Sequence, residues 1–176
     1  MRVVAGALGG RRLHAPAGGS TRPTADKVRE ALFSIVGDLA GARVLDLYAG
    51  SGALGIEALS RGAAEATFVD RAGPAVVAIR RNLEDLGVEG EVHRRDVARF
   101  LRSAAGKPPF DLVFCDPPYD SATAAAGVLA ERLPPLLTES SLTVTESDKR
   151  EPLLLPFPLA RERTYGDTRL AVYVGS

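Results

Sequence analysis

Asp116-Pro117-Pro118-Tyr119 sets an acid, two rigid residues and an aromatic ring side by side. It follows the apolar run Leu112-Val113-Phe114-Cys115, so it reads as the turn that leaves a buried strand. Proline fixes φ, and a stiff turn holds its side chains and carbonyls to one geometry. Asp116 and the Pro117 carbonyl can accept the protons of an exocyclic amine, and Tyr119 can stack on the ring that bears it. This equipment suits alkylation of nitrogen. Acceptors turn the lone pair toward an electrophile, and in-line alignment can lower the barrier by roughly 7–11 kcal/mol. A carboxylate is too weak a base to ionise an aromatic amine. Asp116 would therefore orient the amine and stabilise charge developing on nitrogen, with proton loss late. Taken alone, the tetrapeptide is equally a tight Asp-Pro turn.

The electrophile has its own signal. Val44-Leu45-Asp46-Leu47-Tyr48-Ala49-Gly50-Ser51-Gly52 reads as a short core strand running into a glycine turn, with a helix behind it. A nicotinamide dinucleotide is the competing ligand for such a loop. There, however, the first glycine follows the strand directly and a diphosphate sits on the helix N-terminus. Here Asp46 closes the strand, and Leu47-Tyr48-Ala49 separates it from Gly50. An acid at that place suits a positively charged ligand without phosphate, and S-adenosylmethionine fits. Asp70, at the end of Ala66-Thr67-Phe68-Val69, is placed to take ribose hydroxyls, with Arg71 beside it. Asp96 could accept from the adenine amino group while the Val97 N–H meets a ring nitrogen, or it could cap the helix that begins at Val97, and the two roles are compatible. Tyr48 is a pocket wall or simple packing. Cys115 reads as a buried strand residue, since no neighbour would lower its pKa. His14 and His93 read as surface or satisfied residues.

These residues need a scaffold that brings strand ends together. The pattern predicts strands over Arg43–Leu47, Ala66–Asp70, Glu91–Arg95 and Asp111–Asp116. Helices over Ala53–Ser60, Pro74–Leu86 and Val97–Ala104 alternate with them. That alternation means right-handed βαβ units and a parallel sheet, with ligands outside the carboxyl ends of the strands. Asp46, Asp70, Asp96 and Asp116 each stand at or beside such an end. Upstream, a helix opens near Thr24 as N-cap, turns Val28, Ala31, Leu32 and Ile35 inward, and stops at Gly37 or Gly41. Downstream, a helix over Ala122–Leu133, a strand over Leu142–Glu146 and a closing hairpin of Leu159–Tyr165 and Thr168–Val174 complete an α/β fold whose last strand is antiparallel. The first residues form a small ribbon, Arg2–Ala5 and Arg11–His14. It is too poor in apolar residues to stand alone, so it leans on the body, and a glycine-rich connector follows it.

A chain of 176 residues is most naturally one domain. No run approaches the ~20 apolar residues that span a bilayer. One cysteine excludes a disulfide framework and a cysteine-based zinc cluster, and two separated histidines support no metal site. The expectation is a metal-free cytoplasmic monomer. Net charge is zero, yet residues 1–30 carry six basic and two acidic side chains, +4, against −4 for the remainder. A basic head is either a polyanion footprint or a solvated arm.

The glycine loop with its acid, the acid after the second strand and Asp-Pro-Pro-Tyr together resemble a class I S-adenosylmethionine-dependent amino-methyltransferase. Arg22-Pro23-Thr24, followed by Val28-Arg29-Glu30-Ala31-Leu32-Phe33 behind a glycine-rich ribbon, narrows the resemblance. It is similar to the bacterial 16S ribosomal RNA (guanine-N2) methyltransferases that act on the head of the small subunit. The resemblance implies a Rossmann-like fold with a mostly parallel seven-stranded sheet and helices on both faces. It implies a ribbon and linker over 1–20 and a methyltransferase domain over 21–176. Asp116, Pro117, Pro118 and Tyr119 would be catalytic. Asp46, Tyr48, Ala49, Gly50, Ser51, Gly52, Asp70, Arg71, Asp96 and Val97 would hold S-adenosylmethionine. Arg2, Arg11, Arg12, Arg22, Thr24 and Arg29 would touch 16S rRNA in an assembled or nearly assembled small subunit. DNA adenine-N6 and protein glutamine methyltransferases use similar motifs, and a non-catalytic RNA-binding assembly factor could keep the fold. The intact motif residues count against the last.

Overall fold

In a computed structural model, residues 1–18, 26–118 and 121–175 are described. The sequence alternation becomes a seven-stranded sheet in the order β3-β2-β1-β4-β5-β7-β6. The strands are β1 (Arg43–Leu47), β2 (Glu65–Asp70), β3 (Glu91–Arg94), β4 (Leu112–Cys115), β5 (Leu142–Asp148), β6 (Leu159–Tyr165) and β7 (Thr168–Val174). Neighbours from β3 to β5 pair in parallel, and β7 runs antiparallel to both β5 and β6. The edges of the elements fall within a residue or so of the expected ones.

The central strands are buried on both faces, and their alternating side chains sort two layers. Leu45, Leu47, Val113 and Cys115 pack against α4 (Val97–Ala104) and α5 (Ala122–Arg132) through Phe100, Leu101, Ala125 and Leu129. On the other face, Val44, Leu112 and Phe114 meet Leu32 and Phe33 of α1 (Asp26–Val36) and Ala58 of α2 (Ala53–Ser60). Beside them Ala66 and Phe68 meet Ile56 of α2, and Ile79 and Leu83 of α3 (Gly73–Leu86). Gly55 is required here: a Cβ on it would stand 2.3 Å from Phe68 Cε1, so only glycine lets α2 lie this close to β2.

α1 ends where Gly37 takes φ +84°, as the glycine signal implied. Its inward face differs from the expected one. Arg29 is buried with Leu32 and Phe33, while Val28 and Ile35 are only partly covered. Thr24, the expected N-cap, and Arg22 lie outside the described residues.

The ribbon is a strap closed on the body. Arg2 and Arg12 form an antiparallel bridge, and Val3 and Leu13 are buried against α2 and α3. Glu57 on α2 is fully buried and accepts the N–H groups of Val4 (2.6 Å) and Ala5 (2.9 Å). Ser60 binds Ala5 O and Leu8 N, and Asn82 on α3 exchanges hydrogen bonds with both backbone groups of His14. The ribbon leans on the body as its thin core requires. Residues 1–14 are therefore held against the body rather than extended as a solvated arm.

Candidate active site

β1 lies between β2 and β4, and the chain leaves its carboxyl end in one direction and the end of β4 in the other. This reversal opens a crevice at the carboxyl edge of the sheet, where open α/β sheets bind ligands. β1 and β4 pair in parallel, so the glycine loop after β1 and the Asp116 turn after β4 emerge side by side at this edge, where Asp46 and Asp116 feel each other's charge.

Asp46 is 2% exposed, and its Oδ2 accepts the Gly55 N–H of α2 at 2.9 Å. Burial pushes its carboxyl up to about 7. The Gly55 hydrogen bond works against that rise, and the nearby charge of Asp70 adds to it. Tyr48 follows at φ 58°, the one side-chain-bearing residue in left-handed backbone among the described residues. Such a conformation is strained for an aromatic residue and turns the chain sharply out of the strand. The Tyr48 ring is half buried against the α4–α5 layer, where burial raises its phenol; Cys115 and Asp96 add to that and Arg71 opposes it. It is therefore packing and wall at once.

Behind Tyr48 the loop is tied strand to strand. Ala49 N–H donates to Val69 O (3.2 Å), and Gly52 N–H donates to Ala49 O (2.7 Å). Gly50 and Gly52 take φ +56° and +76°. Gly50 N–H donates to Asp70 Oδ2 at 2.9 Å, and Asp70 Oδ1 accepts the Ala72 N–H at 2.8 Å. Asp70 thus fixes the glycine loop as well as its own turn, and the remaining lone pairs of each oxygen stay available. Ser51 is buried, its carbonyl accepting Asn82 Nδ2 (2.9 Å) and its hydroxyl 3.8 Å from Met1 Sδ. Asn82 therefore couples the ribbon to the loop.

On the far side, Asp96 is exposed and caps α4 by accepting the Arg99 N–H at 3.3 Å, with Val97 buried behind it. The capping role is occupied, and the second carboxylate oxygen is left for a ligand. Arg71 is exposed beside it.

Asp116 stands one residue beyond β4, partly buried, with Pro117 buried and Pro118 exposed. The Pro118 carbonyl accepts the Ser121 N–H at 2.8 Å, which closes the turn. The Asp116 carboxyl is raised well above its usual range by burial first, then by Glu146 and Asp46. Tyr119 lies outside the described residues. Cys115 is buried and its thiol is pushed up, which leaves it inert as a nucleophile. His14 and His93 are surface partners of Asp85 (3.0 Å) and Glu91 (3.2 Å).

Three residues were missed at the sequence level. Glu146, 7% exposed, sits on β5 one place beyond the Thr145–Cys115 pair and so beside Asp116. Its signal was an acid on the face otherwise held by Leu142 and Val144. Glu57 and Asn82 are buried polar residues that hold the ribbon; nothing in their helices marked them except polarity at a core position.

The basic head needs correction. Arg29 is 1% exposed, and its Nη2 donates to Asp26 Oδ1 (2.6 Å) and Arg2 O (2.5 Å). It is a strut between α1 and the ribbon and cannot reach RNA. Asp26 also pairs with Arg2 at 3.3 Å, and Arg29 first, then Arg2, holds its carboxyl below the usual range against the effect of burial. Arg2, Arg11 and Arg12 remain exposed.

The donor set fits the ligand inferred from sequence. Asp46 is a buried carboxyl with no ion pair among the described residues, and the neighbouring Asp116 is raised by the same crowding. A cation in the crevice would relieve both. S-adenosylmethionine carries an ammonium and a sulfonium.

Comparison with known proteins points the same way. A family model described as Conserved hypothetical protein 95 matches residues 1–174. The chain is 41% identical over 180 residues to the YlbH protein of Bacillus subtilis, covering 98% of each. It is 34% identical over 181 residues to a Haemophilus influenzae protein named Ribosomal RNA small subunit methyltransferase D, covering 98% of this chain and 93% of that one. A solved structure from Thermus thermophilus superposes with a TM-score of 0.86 at 32% identity, covering 100% of this chain and 99% of the other.

Proposed function

The chain belongs to the Conserved hypothetical protein 95 family, and on that footing we propose that it methylates the exocyclic N2 of a guanine in 16S rRNA, using S-adenosylmethionine. The observation that carries this reading is the meeting of two turns at the crevice: the glycine loop braced by Asp70, and the Asp116 turn. The name of the Haemophilus influenzae relative supports a small-subunit rRNA as substrate.

S-adenosylmethionine supplies an electrophilic methyl group. The rest is done by the chain. Asp46 neutralises positive charge at the end of β1, and Asp70 accepts from the ribose while holding the Gly50 backbone in place. Asp96 and the Val97 N–H take the adenine edge, with Arg71 beside them, and Tyr48, Ala49, Ser51 and Gly52 shape the wall. Asp116 and the Pro117 carbonyl accept the amine protons, so that the nitrogen lone pair faces the methyl carbon. As the C–N bond forms and the C–S bond breaks, Asp116 stabilises the positive nitrogen and then takes a proton. Tyr119 stacks on the guanine. Arg2, Arg11 and Arg12 on the ribbon contact the RNA backbone, and Arg22 and Thr24 are assigned the same role from the sequence. We place the protein in the cytoplasm as a metal-free monomer.

The test offers labelled methyl donor with small subunits, naked rRNA, DNA and protein in separate reactions. Label recovered as N2-methylguanosine from small-subunit RNA is the expected result. Label in adenine or protein, or none anywhere, overturns the reading.

A further inference from the structure

A cluster of positive charge without ion-pair partners among the described residues lies away from the ribbon. Arg71, Arg94, Arg95 and Arg99 line an open cleft of about 590 Å³ with Asp96 at the carboxyl ends of β2 and β3. All four arginines are exposed, and none makes an ion pair among the described residues. The two acids nearest them in sequence are already turned to backbone. Asp70 accepts from Gly50 and Ala72, and Asp96 accepts from Arg99 N–H. The single bond among the four guanidinium groups is from Arg95 Nη1 to Ser103 Oγ, at 3.2 Å.

Their placement opposes ordinary helix electrostatics. Arg99 is in the first turn of α4, and the Arg94 guanidinium lies 3.4 Å from the Cβ position of Gly73, the first residue of α3. Neither first turn contains an acid. Asp96, at the N-cap of α4, is the one carboxylate among the four guanidinium groups that line the cleft, so the cleft keeps an excess of positive charge beside two helix N-termini that an entering anion would relieve. The cleft is open and carries four separate guanidinium groups, which is more than a single free phosphate would engage. A chain of phosphates matches it.

We propose that Arg94, Arg95 and Arg99, with Arg71 at the boundary of the donor site, bind successive backbone phosphates of the substrate RNA beside the target nucleotide. The ribbon and this cleft would then both contact the RNA, and a neutral protein acquires its RNA affinity from local patches. The inference rests on the RNA-methylating reading above.

Binding of unmodified small subunits is measured across a salt series for the wild type, for a triple Arg94→Ser, Arg95→Ser, Arg99→Ser variant, and for the matching triple lysine variant. S-adenosylmethionine affinity of each protein is measured by calorimetry, which also reports that the variants are folded. The serine variant is expected to keep donor affinity, lose about tenfold or more in subunit affinity, and flatten the salt slope by about 2 to 3, one phosphate contact contributing roughly 0.7–0.9. Lysine should restore most of both, because phosphate is recognised by charge. An unchanged slope in the serine variant, against a steep wild-type slope, overturns the cleft and leaves the proposed function standing. Loss of donor affinity with unchanged subunit affinity assigns the arginines to the cofactor and overturns it too. A wild type that neither binds nor methylates small-subunit RNA removes both proposals.

Discussion

Glu57 Oε2 accepts the Val4 N–H at 2.6 Å across 53 residues of sequence, from a position with no exposure at all. Glu57 Oε1 takes Ala5 N–H and Arg61 Nε, so the carboxylate is satisfied only while the ribbon is docked. Deleting residues 1–13 would leave a buried charge short of two donors. We expect the truncated chain to lose roughly 1–3 kcal/mol on that account, in addition to the burial of Val3 and Leu13. Urea denaturation of the truncated and full chains measures it. Equal midpoints would show the ribbon to be separable from the fold.

Asp70→Ala removes the proposed ribose acceptor and the brace on Gly50 in one step. Loss of a charge-assisted hydrogen bond costs about 1.5–3 kcal/mol, so donor affinity should fall by about ten- to a hundredfold. Calorimetry checks this, and a folded variant with wild-type affinity would exclude Asp70 from the site.

Asp116→Ala should bind the methyl donor and transfer poorly, since Asp116 acts on the amine. Tyr119→Ala should behave likewise and Tyr119→Phe should be mild, because stacking needs the ring more than the hydroxyl. Single-turnover rates at saturating donor separate these effects from binding. Near-normal transfer by Asp116→Ala would defeat the mechanism.

The pH dependence follows from Asp46. Its folded-state carboxyl is raised from 3.8 to about 7, so the folded protein holds a proton there that the unfolded chain has released. The resulting stability is complete below 3.8 and is lost as pH rises through about 7. A bound ammonium reverses the preference and draws the carboxyl down. Donor affinity should therefore weaken as pH falls below about 7, with a proton released on binding in that range, readable by calorimetry in buffers of different ionisation enthalpy. Asp46→Asn should keep the Gly55 hydrogen bond, stabilise the free protein at pH ~8 and weaken donor binding. A flat pH profile would contradict the role given to Asp46.

The scaffold was legible because alternation leaves a strong trace: strands buried on both faces, then helices with one apolar stripe. The acids at four strand ends were legible for the same reason, since a carboxylate has no place at the end of an apolar run without a partner. The rest depended on contacts distant in sequence. Arg29 reads as a basic residue on a helix, and only the fold reveals that Asp26 and the Arg2 carbonyl bury it. Glu146 acquires meaning from lying beside Asp116, which strand pairing decides. Arg94, Arg95 and Arg99 lie within six residues of one another, but that Arg71 joins them in one cleft is decided by the pairing of β2 with β3.

β7 lies between β5 and β6, so the last strand to be made is the one that joins the sheet's final two rows. Until residues 168–174 leave the ribosome, β5 presents a long unpaired edge and β6 has no neighbour at all. An exposed strand edge is a template for pairing with other chains. Premature stop codons within these last residues would thus yield a chain whose chemistry-bearing half is complete and whose fate is association with its own kind. Closure of the sheet depends on a strand far in sequence from the residues proposed to hold the methyl donor.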